Sequence, residues 1–144
     1  MTNETINQDP FPKAAQTDWF LQSLVNMANN QSLEISITLQ VSGMLVSGDI
    51  VGGKTYFEGV GEEFSSTFVN HPETAESIKD SFSKMGERYV QTDETEVQPL
   101  PQFVHLKNAR FFHTSGSPIP SNRSVFWRGR ISEVGGFFLG SLSA

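Results

Sequence analysis

Few residues of this chain could do chemistry. Three histidines, His71, His105 and His113, are the side chains whose ordinary pKa lies near neutrality, and the chain has no cysteine to accompany them. No H-E-x-x-H pair and no glycine-flanked nucleophilic serine occurs. His105 and His113 are separated by a strand-like segment and a loop, which does not favour a shared metal ion. The segment GDIVGGK, Gly48 to Lys54, carries the glycines and lysine of a phosphate loop without its G-x-x-x-x-G-K-[ST] spacing, and reads instead as a hairpin with Gly52-Gly53 at its turn. Glu62 and Glu63 are adjacent carboxylates on a surface helix, where solvation accounts for them better than acid–base work. The expectation is a protein that is not an enzyme, with no catalytic residues, no cofactor and no metal ligands.

Charge narrows the partners. The formal net charge of −6 argues against a general nucleic-acid binder, which needs cations to displace the counterions of phosphates. From Glu58 to Glu96 acidic residues outnumber Lys79, Lys84 and Arg88, whereas beyond Val97 come Lys107, Arg110, Arg123, Arg128 and Arg130 against Glu133 alone. Such a bipolar chain could attract copies of itself head to tail, an attraction that salt weakens. The opening residues are polar and acidic rather than a signal peptide, no apolar run reaches the length of a membrane span, and the lack of cysteine fits a reducing compartment. A cytoplasmic protein is expected.

The elements that must position these residues start after a tail. Residues 1–16 are rich in Asn, Thr, Gln and Pro and are expected to be flexible, with Phe11 between two prolines as a potential docking epitope; residues 17–144 are expected to form one α+β domain with a helical insertion at about 61–97. Thr17 or Asp18 can cap a helix bearing Phe20, Leu24, Met27 and Ala28 on one face, with Trp19 as a core anchor, and Asn29-Asn30 ends it. The chain is organised around Leu33 to Val60, read as three strands. Leu33, Ile35, Ile37, Leu39 and Val41 alternate with polar residues, Ser42-Gly43 turns, and Gly48 marks a bend in the second strand. Val60, Phe64 and Phe68 suit a short helix. Pro72 opens another, with Ala75, Ile78, Phe82, Met85 and Tyr89 on a face that would dock on the sheet. Gln91 to Pro101 is a linker, Phe103 to Phe112 a strand, and Thr114 to Asn122 a loop. A further strand from Ser124 is interrupted by Arg128-Gly129-Arg130, and the greasy end, Phe137, Phe138, Leu139 and Leu142, resembles an edge strand able to pair with another chain.

This order of elements is similar to that of Sm-like proteins, small five-stranded barrels with an N-terminal helix. ISITLQVSGMLVSGDI corresponds to the first two strands, HLKNA to the third and FWRGRI to the junction of the last two. The resemblance implies a small, strongly bent antiparallel β-barrel and ring oligomers formed by strand pairing. In that family uridine-rich RNA binds near an Asp/Asn loop and an Arg-Gly loop. Arg128-Gly129 matches the second, but the first is replaced by the insertion, so nucleic acid is not an expected partner.

At finer grain the blocks DWFLQSLVNMAN, ITLQVSGMLVSGDIVGGKTYFEG, HPETAESI, HLKNARFFHTSG and FWRGRISEVGGFFLGSLS resemble the gas vesicle accessory protein U (GvpU) family over the whole chain apart from its tail. This implies a minor protein made alongside the small hydrophobic shell protein of gas vesicles, with no known enzymatic task and no residue-level site. The expectation is a non-enzymatic accessory protein, cytoplasmic and associated with gas vesicles, that self-associates and acts on vesicle assembly or clustering. Its partners would be itself, as a homo-oligomer, and the shell or other gas vesicle proteins. Phe137, Phe138 and Leu139 are the candidates for subunit or partner contacts, with Arg128 and Arg130 meeting acidic residues between Glu73 and Glu96. The alternatives are an Sm-like RNA-binding module and a chaperone that holds the shell protein's apolar helix against Ile78, Phe82 and Met85.

Overall fold

A computed structural model describes residues 17–90, 98–113 and 116–142. The tail, the Phe11 epitope and most of the linker lie outside the described residues. Helix α1 spans Trp19–Gln31 because Asp18 caps it, its Oδ1 accepting the Phe20 N–H at 2.8 Å, and because Leu21, Leu24, Val25 and Ala28 recur on one face and are buried. That face is rotated from the expected one. Trp19 is not a core anchor: the stripe beginning at Leu21 has the same helical spacing and takes the sheet, which turns the indole outward.

Strands β1 (Ile35–Val41) and β2 (Met44–Val51) form a hairpin about Ser42 and Gly43, both at positive φ as a two-residue turn requires. Ile37 and Leu39 are fully buried, as their alternation predicts. The β2–β3 register shifts between Ser47 and Asp49. A Cβ on Gly48 would stand 2.8 Å from the Lys107 carbonyl oxygen, so the glycine permits the close backbone approach at this bend.

The expected third strand is absent. The chain after Gly52 forms helix α2 (Gly53–Ser65), and Gly52-Gly53 begins that helix rather than turning a hairpin. The Gly53 N–H donates to Asn29 Oδ1 at 2.9 Å, and a Cβ there would fall 2.3 Å from the Tyr89 ring. After a 3-10 turn at Ser66–Phe68, helix α3 (Pro72–Glu87) starts with proline in its first turn. Its apolar stripe lies chiefly on α2 rather than on the sheet. A Cβ on Gly61 would be 2.7 Å from Phe82 Cβ, one on Gly86 3.0 Å from Lys54 Cα, and Phe64 and Phe82 stand 5.8 Å apart.

Strand β3 (Phe103–Phe112) pairs with β2 on one side and with β4 (Pro118–Ile119) and β5 (Val125–Arg130) on the other. Strand β5 runs through Arg128-Gly129-Arg130 without the expected interruption. The 3-10 turn Ile131–Glu133 then leads to β6 (Val134–Leu139), which pairs with β1. The result is a six-stranded antiparallel sheet in the order β4-β3-β2-β1-β6, with β5 also on β3. It is α+β, but the expected closed barrel does not form. Among the described residues β5 and β6 are not paired: the three-residue turn carries the chain across the open end, and α2 packs on β5 through Gly59 and Phe126. The core between α1 and the sheet contains Leu21, Val25, Ile37, Leu39, Ile50, Leu106 and Ile131.

Candidate functional site

Two places bring together residues singled out in the sequence. The first is the outer edge of β6. Cross-strand partners share a sheet face, so Phe137 and Leu139, opposite the buried Leu39 and Ile37, lie on the core side, and Phe138, opposite Thr38, lies on the other. Phe137 packs on the core and against Phe20 with ring centroids 5.6 Å apart, and Phe20 in turn meets Trp19 at 5.9 Å. Residue exposure is 73% at Trp19, 46% at Phe20, 50% at Phe138 and 60% at Leu139, so the edge is flanked by apolar surface on both faces. On the Phe138 side an open cleft is lined by Thr38, Gln40, Leu45, Gly136 and Phe137.

The backbone of this edge is directional. The Gly140 N–H donates to the Ser36 carbonyl at 2.8 Å. In an antiparallel ladder hydrogen-bonded pairs alternate with non-bonded ones, so Phe138 and Gly136 point their main-chain groups at β1 while Phe137 and Leu139 point theirs outward. Within the described residues no strand receives them. Residues 134–139 contain none of the lysines, prolines or charges that usually blunt a free edge.

The second place is the surroundings of Arg128. This side chain points into the molecule. Its Nη1 donates to the Tyr89 hydroxyl at 2.9 Å and lies 2.8 Å from His105 Nε2, while its guanidinium carbon is 3.8 Å from the Phe103 ring centroid and 5.5 Å from that of Phe57. Because an arginine only donates, Nε2 accepts and the imidazole hydrogen sits on Nδ1. That atom is buried and has no hydrogen-bond partner among the described residues.

His105 is fully buried, packed against the rings of Tyr56 at 4.6 Å, Tyr89 at 5.1 Å and Phe57 at 5.9 Å. Burial first, and the Arg128 charge second, push its pKa down to about 3, which keeps the ring neutral. Burial raises the Tyr56 hydroxyl pKa against the opposing effect of Arg128. No group of three or more His, Cys, Asp or Glu that could hold a metal occurs among the described residues. The arrangement ties α2 and the end of α3 to β3 and β5: a half-buried cation is held by ring faces and two neutral acceptors rather than by a carboxylate. Sequence reading missed it because the Tyr56-Phe57 pair, Tyr89, Phe103 and Arg128 lie far apart along the chain. Only the density of aromatic residues on both sides of the linker hinted at their convergence.

Arg130, at the end of β5, is exposed and is not part of this cluster. His71 caps α3 without a side-chain hydrogen bond and is exposed, and Glu62 and Glu63 are exposed on α2. No described helix is long and apolar enough to cross a membrane. The family model described as "Gas vesicle protein GvpU-like" matches residues 18–142 of the chain. No curated protein and no solved structure matches it.

Proposed function

From the premise that the chain belongs to the GvpU-like family of gas vesicle proteins, we propose that it is a non-enzymatic accessory protein that self-associates and acts on gas vesicles in the cytoplasm, by clustering them or aiding their assembly. The family supports the setting. The observation that favours self-association is the uncovered apolar edge of β6, with Phe137, Phe138 and Leu139 as its contact residues. Arg130 supplies an exposed cation next to the end of the same sheet, and the acidic residues of α3, Glu73, Glu76 and Asp80, supply exposed opposite charge. Arg128 is held inside the fold, so the charged contact falls to Arg130 alone.

Multivalency makes this arrangement effective. An assembly that presents several copies of one weak vesicle-facing surface turns each later contact into an intramolecular one, which can raise avidity by roughly two to four orders of magnitude over a single contact. Expression of the vesicle genes with and without this protein tests the reading. Vesicles that form normally but stay dispersed in its absence support clustering. If vesicles fail to form at all, the role lies in assembly, and Ile78 and Phe82, half-buried on α3 beside exposed Met85, become the surface to mutate. Formation and clustering both unchanged would remove the proposal.

A further inference from the structure

The face of the sheet turned away from α1 carries a polar cleft that self-association does not use. We infer that this cleft, between β2, β3 and the residues after β6, binds a small phosphorylated polyol or sugar, with Arg110 on the phosphate and Asp49 and Asn108 on the hydroxyls. The inference is independent of the reading that the protein self-associates.

The cleft is built by the strand register and a short relay of polar groups. Ser47 stands opposite Thr38 of β1 on one side and Arg110 of β3 on the other, while Ile37 and Leu39, to either side of Thr38, belong to the core. Cross-strand partners share a face, so Thr38, Ser47 and Arg110 lie on the side away from α1. Thr38 and Ser47 are nonetheless buried, because the chain after β6 folds over them. Thr38 Oγ1 donates to the Gly140 carbonyl at 2.8 Å and lies 3.1 Å from Ser47 Oγ, which accepts the Leu142 N–H at 2.6 Å. These bonds hold Gly140 to Leu142 as one wall of a cleft of about 420 Å³, within the roughly 300–1,000 Å³ of small-ligand sites.

The two charges that line it are unpaired. Asp49 accepts the Ser36 hydroxyl at 2.8 Å and the Asn108 side-chain amide at 3.1 Å, both neutral donors, while Lys107, the residue opposite it, is taken by Glu34 at 2.7 Å. The half-buried Arg110 guanidinium has no ion pair, hydrogen bond or ring contact among the described residues. Arg110 is level with Ser47, and Asp49 lies two positions further along β2, roughly 6–7 Å at the usual rise per residue. Asn108 adopts a left-handed backbone, φ 55°, where the β2–β3 register shifts, and this irregularity brings its side chain to Asp49.

The ends of the cleft ask for different groups. Arg110 offers only donors, in a fork that matches a phosphate. At the other end the Asp49 carboxylate keeps lone pairs beyond the two already engaged, and Asn108 Oδ1 meets the Ser124 hydroxyl only at 3.5 Å, so this end calls for hydrogen donors. A phosphate monoester on a hydroxylated carbon chain supplies both. Inorganic phosphate satisfies the first end alone, and an uncharged sugar the second.

The test titrates the full chain with glycerol phosphate, glucose 6-phosphate, inorganic phosphate and glucose by calorimetry, and locates binding from the amide resonances of the nitrogen-labelled protein. At least one of the two esters is expected to bind roughly tenfold or more tightly than both inorganic phosphate and glucose, with shifts centred on Ser47, Asp49, Asn108, Arg110 and Ser141. Arg110→Met is expected to weaken that binding about tenfold with an unchanged circular dichroism spectrum. Lys84→Met, which removes the same charge from exposed α3, is expected to leave it unchanged. Failure of both esters to bind below about 10 mM, inorganic phosphate or glucose binding as tightly as the esters, shifts centred elsewhere, or Arg110→Met without effect would each overturn the inference.

Discussion

His105 gives the sharpest quantitative handle on the buried site. In the unfolded chain its imidazole titrates near 6.5, whereas in the folded protein burial and the Arg128 charge hold its pKa at about 3. The sign is fixed by which state binds more protons. Above pH 6.5 both states are neutral here and the group contributes nothing to the pH dependence. As pH falls below 6.5 the unfolded chain takes up a proton that the folded chain refuses, so stability declines at about 1.4 kcal/mol per pH unit until pH reaches the folded value. Between pH 7 and pH 5 the loss is therefore about 2 kcal/mol. His105→Gln is the matching perturbation, since its amide oxygen can still accept from Arg128 and it does not titrate. Urea unfolding of both proteins at pH 7, 6 and 5 gives the difference in their stabilities, in which every other titrating group cancels. The wild type is expected to lose about 2 kcal/mol relative to the variant over this range. A difference constant to within about 0.5 kcal/mol would refute the reasoning, because the folded imidazole would then accept a proton as readily as the unfolded one.

Three further outcomes follow from the fold. Gly48→Ala places a Cβ 2.8 Å from the Lys107 carbonyl and 3.1 Å from Ala109 Cα, both backbone atoms of the paired strand, and is expected to cost about 1–3 kcal/mol in urea unfolding. Asp18→Ala removes the side chain that accepts the Phe20 N–H and is expected to lower stability by about 1 kcal/mol, read as a lower unfolding midpoint. Arg130→Glu is expected to weaken self-association at low salt and to flatten its salt dependence, measured by light scattering, while the thermal unfolding midpoint stays within a few degrees of the wild type.

The β1–β2 hairpin was legible because its signals are local: an unbroken alternation from Ile35 to Val41 and a Ser42-Gly43 turn need no tertiary information. The Asp18 cap and the Pro72 helix start were legible for the same reason. The second half of helix α2 was legible from Val60 and Phe64, but its first half, read as a strand, was not, because GKTYFEGV is poor in helix formers and rich in glycine. Its helicity comes from packing, since Gly53, Gly59 and Gly61 each leave room for the side chains of Tyr89, Phe126 and Phe82. The same holds at Arg128. Arg128-Gly129-Arg130 has the composition of an exposed loop, yet β5 continues through it and carries one arginine into an aromatic enclosure assembled from three distant segments. The greasy C-terminal strand was legible as an edge, but the side each backbone group faces became readable only from its register with β1.

The central claim is that this protein associates with itself and, through that association, gathers gas vesicles. The most direct measurement adds purified protein to buoyant vesicles at several salt concentrations and records turbidity together with the protein's own molar mass. The account predicts turbidity that rises with added protein over the concentrations at which molar mass exceeds that of one chain, and that falls as salt weakens the contacts. Turbidity that never rises while the protein self-associates, or that rises with a protein that remains monomeric, would contradict it.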